Sequence, residues 1–184
     1  MKLSVARIYH PVKTLGPGDR VGIWVNGCEK RCLGCISPEM QKYDPHREVS
    51  VVAILEMVRS INARIDGFTI SGGEPFLNPE ALNELVYELK KISDDILIFS
   101  GYTIEQLREK NDPAIDQILG NISVLIDGPF EMDKRQSTGL RGSSNQTIHV
   151  FKHKEKYENI EVMERSLQTI VYGNGVVTFG IPTI

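Results

Sequence analysis

Three cysteines crowded into one loop constrain this chain more than any other feature. Cys28, Cys32 and Cys35, in the stretch NGCEKRCLGC at 26–35, are its only thiols. Their spacing, C-x3-C-x2-C, follows the apolar run VGIWV at 21–25, which reads as a buried strand, so the sulfurs fall on a loop just past a strand end. Thiols this close in sequence point to a metal site rather than to disulfides. Three thiolates leave a tetrahedral zinc or a four-iron cubane one ligand short. A cubane with one open iron can bind a small molecule directly, whereas zinc must recruit a histidine such as His10 or His46. The cysteines alone leave both metals open.

The rest of the chain alternates strand and helix patterns. Up to Arg20, His10-Pro11 and Gly16-Pro17-Gly18 punctuate a loop, with a short strand at 7–9. After the cysteines, 36–48 is polar and broken by Pro38 and Pro45, and reads as loop. Ser50 caps a helix to about Ala63, and GFTI at 67–70 is the next strand, stopping at SGGEP. Asn78 caps and Pro79 opens a helix to about Lys91, and ILIF at 96–99 is a strand ending at Ser100. Thr103 and Gln106 form a capping box, Asp112-Pro113 starts a short helix, and SVLI at 123–126 delivers Asp127 to a strand end.

Such alternation predicts an α/β fold with mostly parallel strands and right-handed crossovers. The units number fewer than the eight of a closed barrel, which predicts an open, partial (β/α)6-type barrel with one side uncovered. TIHVF at 147–151 closes a sheet edge. In the remainder, FKHKEK reads as solvated surface, and 166–171 and 176–181 flank Asn174-Gly175 as a short C-terminal β-hairpin extension. The expected division is a barrel domain at 1–151 and an extension at 152–184 packed on it, serving as an added sheet element or a docking surface.

At 184 residues, one domain holds a sizeable core, and a formal charge of -3 gives no electrostatic case for binding nucleic acid. No segment approaches a membrane span, and MKLSVARIYHPV lacks the apolar core of a secretory signal, so the expected location is cytoplasmic. Unpaired thiols fit that reducing compartment.

The cysteine spacing followed by SGGEP (71–75) resembles the radical S-adenosylmethionine enzymes. More narrowly, the chain is similar to the activating enzymes of anaerobic ribonucleotide reductase, through GPGDR (16–20), CLGC, SGGEP, SGYT (100–103), DGPF (127–130) and RGSSNQ (141–146). The similarity runs from about Arg7 to about Val150. It implies one [4Fe-4S] cluster on Cys28, Cys32 and Cys35, the catalytic centre, whose open iron takes the amino and carboxylate groups of S-adenosylmethionine. Reduction would then break a carbon–sulfur bond to give methionine and a 5′-deoxyadenosyl radical.

The same resemblance implies that the backbone of Gly34, Cys35 and Ile36 approaches the adenine, and that Gly72 and Gly73 bring backbone close to the ligand. Glu74 would accept hydrogen bonds from the ligand's ammonium, and Ser100, with Tyr102, would face the ribose or methionyl part. Asp127 would stand near the ligand with Arg141 as its partner, unless Arg141 holds the ligand's carboxylate. Arg20 is either the family's basic position or a surface arginine beside a turn. His149 reads as structural, and RGSSNQ either shapes the substrate mouth or is a plain turn.

The activity implied is generation of a glycyl radical on a partner enzyme, anaerobic ribonucleoside-triphosphate reductase above all, with flavodoxin or ferredoxin as electron donor. The chain has no obvious glycyl radical site of its own, so the partner is another chain. Two alternatives remain: radical chemistry on a small molecule or nucleotide, with the C-terminal tail covering the open side, and a non-catalytic iron–sulfur or zinc module.

Overall fold

The strands order themselves by which face each side chain can bury. In the computed structural model, which describes every residue except Asn174 and Ile184, β2 (Arg20–Val25), β4 (Gly67–Gly72), β5 (Ile96–Phe99) and β6 (Val124–Asp127) lie side by side and parallel. They form the centre of a seven-stranded sheet. One edge is β1 (Lys2–Val12) followed by β3 (Glu48–Ser50), and the other is β7 (Thr147–Val150), all joined antiparallel. The N-terminal stretch is thus an eleven-residue strand rather than the short strand and loop expected. Its pairing with β2 slips between Val5 and Arg7 and again between Tyr9 and Val12. Such bulges break the period of two by which a strand is recognised in sequence.

The helices start where their caps predict. The Ser50 hydroxyl accepts from the Ala53 amide (3.1 Å) to open α1 (Val51–Arg59), and the Asn78 side chain accepts from Ala81 (3.2 Å) to open α2 (Pro79–Leu89). The Thr103–Gln106 capping box opens α3 (Ile104–Glu109), and Asp112 caps α4 (Pro113–Asn121). α1 stops at Arg59, short of the expected Ala63.

Both faces of the parallel strands are apolar, as strands buried on two sides require. Val21, Ile23, Phe68, Ile70, Ile96, Ile98 and Leu125 pack against the helices through Ile54, Leu82, Leu85, Ile115 and Ile118. Trp24, Leu97, Val124 and Ile126 point the other way and are covered by the chain after β7: Tyr157, Ile160 and Phe179, with Met163 and Ile181 at the margin. The second face of the sheet is therefore covered by the C-terminal extension. Its hairpin, β8 (Gln168–Tyr172) and β9 (Gly175–Phe179), pairs antiparallel from Gln168↔Phe179 to Tyr172↔Gly175. The Asn-Gly turn expected between the two strands lies outside the described residues at Asn174.

Arg20 is not a surface residue. It is fully buried at the N-terminal end of β2, where its guanidinium donates to Thr69 Oγ1 (2.8 Å) and Phe68 O (2.6 Å) and pairs with Asp95 Oδ1 at 3.2 Å. Asp95 also takes Lys156 and the Tyr157 hydroxyl. The basic run at 152–156, expected to be plain solvated surface, thus supplies a pin between extension and sheet. Burial alone would push the Asp95 carboxyl up, but Arg20, Lys156 and Tyr157 outweigh it and hold it below its usual value.

Candidate functional site

Past the end of β2 the chain leaves the sheet and closes on itself. The amides of Gly27 and Cys28 donate to the carbonyls of Met40 (2.8 Å) and Gln41 (2.9 Å), so the cysteine loop is a closed loop with its ends pinned together. SGGEP, at the end of β4, is stitched to it: Gly73 N donates to Val25 O and Glu74 N to Gly27 O, both at 2.7 Å. This contact is why the glycines are glycines. A Cβ on Gly72 would stand 2.4 Å from Val25 O, and one on Gly73 2.2 Å from Gly27 O. Their close backbone approach is to the end of β2 and the cysteine loop that follows it, partners that the motif by itself does not reveal.

Glu74 then joins this pair of loops to a third. Its carboxylate is buried and accepts from Phe76 N (3.0 Å), Ser100 Oγ (3.0 Å) and Gly101 N (2.7 Å). Burial pushes its pKa up, and these three bonds oppose the rise. The ends of β2, β4 and β5 are thereby held as one backbone platform.

A cavity of about 330 Å³ opens over that platform. Cys28, Cys32 and Cys35 line it together with Gly34 and Ile36 of the same loop, Gly72, Gly73 and Glu74 of the second, and Ser100 of the third. Gly34 has a φ of +73°, a left-handed turn that favours glycine, and it lies beneath Met132 and Phe130. A second cavity of about 350 Å³ behind SGGEP, between Lys2, Asn26 and Asn78, holds none of the cysteines.

Asp127 and Arg141 do not line the cysteine cavity. Asp127 is buried at the end of β6, where Oδ2 accepts from the Ile104 amide at the start of α3 (2.5 Å) and stands 3.0 Å from His149 Nε2. Its partner is therefore His149, not Arg141: β7 pairs His149 with Leu125, two positions from Asp127 on the same face of β6. Arg141 instead holds Gln136 Oε1 (3.1 Å) and Gln146 O (3.3 Å) and pairs with Glu161 of the extension at 3.5 Å. Tyr102 packs against the helix-side core and donates its hydroxyl to Glu29 (2.7 Å). RGSSNQ is a closed hydrogen-bonded loop, Gln146 Oε1 accepting from Gly142 N (2.7 Å) and Ser143 N (3.2 Å). Gly142 and Gln146 reach the cavity.

Arg135, Arg165 and the stretch 178–182 also line the cavity, and no motif pointed to them. Arg165 and 178–182 belong to the extension, where the only available signal was an apolar alternation that reads as an ordinary hairpin.

The three cysteines are free and half-buried. Cys32 has its thiol pKa pushed up by burial and further by the nearby Cys28 and Cys35, against a hydrogen bond from the Phe130 backbone. The sulfurs thus share one electrostatic environment, although among the described residues no three Cys, His, Asp or Glu side chains stand as close as the ligands of a single metal ion. No histidine lines the cavity. His10 Nε2 lies 3.1 Å from Arg64 O, and His46 is exposed on a separate turn. Of the two carboxylates on the wall, Glu74 is already engaged by three donors and Glu39 is exposed on the turn at 38–40. Three thiols without a fourth protein ligand suit a cubane that keeps one iron open, and leave a zinc shell incomplete.

Comparison with known proteins agrees with this donor set. Residues 14–149 match the family described as "4Fe-4S single cluster domain". The chain is 35% identical to the anaerobic ribonucleoside-triphosphate reductase-activating protein of Pasteurella multocida (strain Pm70), over 78% of this chain and 95% of the relative. It is 34% identical to the protein of the same name from Vibrio cholerae serotype O1, over 78% and 96%. A pyruvate formate-lyase-activating enzyme of Staphylococcus aureus (strain USA300) is 37% identical over 91 residues, 45% of this chain and 36% of the relative. The chain belongs to the 4Fe-4S single cluster domain family, among the relatives of the anaerobic ribonucleoside-triphosphate reductase-activating proteins.

Proposed function

We propose that this chain is a radical S-adenosylmethionine activating enzyme that places a glycyl radical on a partner, anaerobic ribonucleoside-triphosphate reductase. The observation that carries the reading is the meeting of the cysteine loop, SGGEP and SGYT around one cavity, in a chain whose relatives bear activating-protein names. Cys28, Cys32 and Cys35 would hold the [4Fe-4S] cluster. Reduced, such a cluster supplies the electron that cleaves S-adenosylmethionine to methionine and a 5′-deoxyadenosyl radical.

This chain's own residues bind and orient. The backbone of Gly34, Cys35 and Ile36 offers amides and carbonyls to an adenine, and the half-buried strand-end backbone at Ser71 and Gly72, on the cavity wall, faces an ammonium. Glu74 and Ser100 act at one remove, holding that backbone still. Asp127 fixes the start of α3, and Arg141 fixes the RGSSNQ loop. Arg135 stands on the wall with Arg7 and Lys30, cations placed to meet a carboxylate, whereas Arg165, also on the wall, is taken up by backbone carbonyls.

Curvature of the sheet into an open partial barrel, a core at 1–151 with the extension at 152–184, and a flavodoxin or ferredoxin donor in a reducing cytoplasm belong to the same proposal. Among the described residues no helix is long and apolar enough to cross a membrane. A second reading is favoured by one observation: the extension covers the sheet's second face, which suits radical chemistry on a small molecule or nucleotide.

Anaerobic reconstitution with iron and sulfide, then dithionite and S-adenosylmethionine, tests both. Activation predicts 5′-deoxyadenosine together with a glycine-centred electron paramagnetic resonance signal on added reductase. 5′-Deoxyadenosine with no such signal supports the second reading, and a fully loaded cluster that yields none leaves only a binding module.

A further inference from the structure

The family match stops at residue 149, yet the chain beyond it returns to the cysteine cavity. Arg165, Thr178, Phe179, Ile181 and Pro182 stand on the wall of the same cavity as the three thiols. They are held rigidly. Phe179 stacks on Tyr9 and Trp24, with ring centroids 4.8 and 4.9 Å away. The Gln168 side chain donates to Pro11 O (2.8 Å) and accepts from Lys13 N (3.0 Å), tying the hairpin to β1. One guanidinium, that of Arg165, donates to the carbonyls of Gly139 (2.8 Å), Thr138 (3.1 Å) and Pro182 (3.2 Å), and to those of Gln136 and Arg141. A side chain fixed to five carbonyls on two segments makes a wall, not a flap.

Resting on the activation reading, we propose that this C-terminal wall determines which substrate reaches the cavity. It bars approach across the second face of the sheet, which Phe179, Tyr157 and Ile160 fill. The 178–182 run and the cysteine loop then both border the cavity, at the carboxyl ends of the parallel strands. On the activation reading, the segment that enters there carries the target glycine, and bulk added on the wall obstructs it.

Thr178 is exposed, faces Thr169 across the hairpin and lines the cavity, so a large side chain there leaves the core untouched and adds bulk at the cavity's edge. The test is Thr178→Trp in the full-length, cluster-loaded protein, scored as glycyl radical formed on anaerobic ribonucleoside-triphosphate reductase per 5′-deoxyadenosine produced. The ratio should fall about tenfold or more, because small misplacement of a reacting segment is costly in rate. In the wild type, amides at 176–182 should gain protection from hydrogen exchange when the reductase is added. An unchanged ratio, or no added protection, overturns the proposal. Failure of the activation reading is distinct: the wild type itself would then make 5′-deoxyadenosine without any radical on the reductase, and both proposals would fall.

Discussion

Glu74, on the wall of the cavity, also binds the loops around it together. In sequence it stands in SGGEP as an acceptor for a ligand's ammonium, and in the fold its carboxylate takes the Phe76 amide of its own loop and the Ser100 hydroxyl and Gly101 amide of the next. Glu74→Ala strands those buried donors and should lower stability by about 3 kcal/mol, seen as a shifted urea midpoint. Cys32→Ala behaves oppositely. Cys32 is half-buried on its loop and belongs to none of the core clusters, so the variant should keep the wild-type urea midpoint while losing bound iron and visible absorbance on anaerobic reconstitution. Iron content equal to wild type would remove Cys32 from the ligand set. The thiols were legible because their chemistry is carried by residue type and spacing alone. The partner of Asp127 was not: His149 reaches it only through the β6–β7 register, and a sequence does not state which residues face each other across two strands.

Among the elements, those with strict periodicity and capping residues were readable, and β5 and the starts of α1, α2, α3 and α4 lie where Ser50, Pro79, Thr103 and Pro113 put them. β1 was obscured by its two register slips. The join between β2, β5 and the extension was obscured because it rests on one buried pair. Arg20 is fully buried, so Asp95→Asn leaves its charge without a counter-ion and should cost about 3 kcal/mol or more at pH 7. The sign with pH follows from the lowered Asp95 pKa. A carboxyl ionised more readily folded than unfolded contributes stability that is present above its unfolded value, near 3.8, and is lost as pH falls through the lower folded value. Urea midpoints of wild type and Asp95→Asn should therefore differ by a constant amount from pH 5 to 7 and converge as the solution is acidified below about pH 4. Curves that stay parallel into acid would mean that Asp95 is not what the guanidinium depends on.

At the scale of the whole molecule the sheet needs two coats, and the motifs describe only one of them. The helices were written into the sequence as amphipathic segments between strands, whereas the second coat is a tail whose apolar residues are split between a charged stretch, with Tyr157 and Ile160, and an uncharged hairpin, with Phe179 and Ile181. Nothing in their local pattern says that they pack against Trp24, Leu97, Val124 and Ile126, because that contact is made only by the path of the chain back across the sheet. Burying each large apolar side chain is worth about 1.5–3 kcal/mol, so removing three or four of them takes away an amount comparable with the roughly 5–15 kcal/mol that holds a domain together. A chain cut after Phe151 retains every cysteine and all six motifs, yet it should lose its cooperative unfolding transition and bind a hydrophobic dye such as anilinonaphthalene sulfonate. The intact chain should unfold in one transition, with fluorescence of its single tryptophan, Trp24, and far-ultraviolet circular dichroism changing together. If the shortened chain instead unfolds sharply at the wild-type midpoint, the extension is an accessory to a self-sufficient sheet, and its contacts with Trp24 and Asp95 contribute little to the fold.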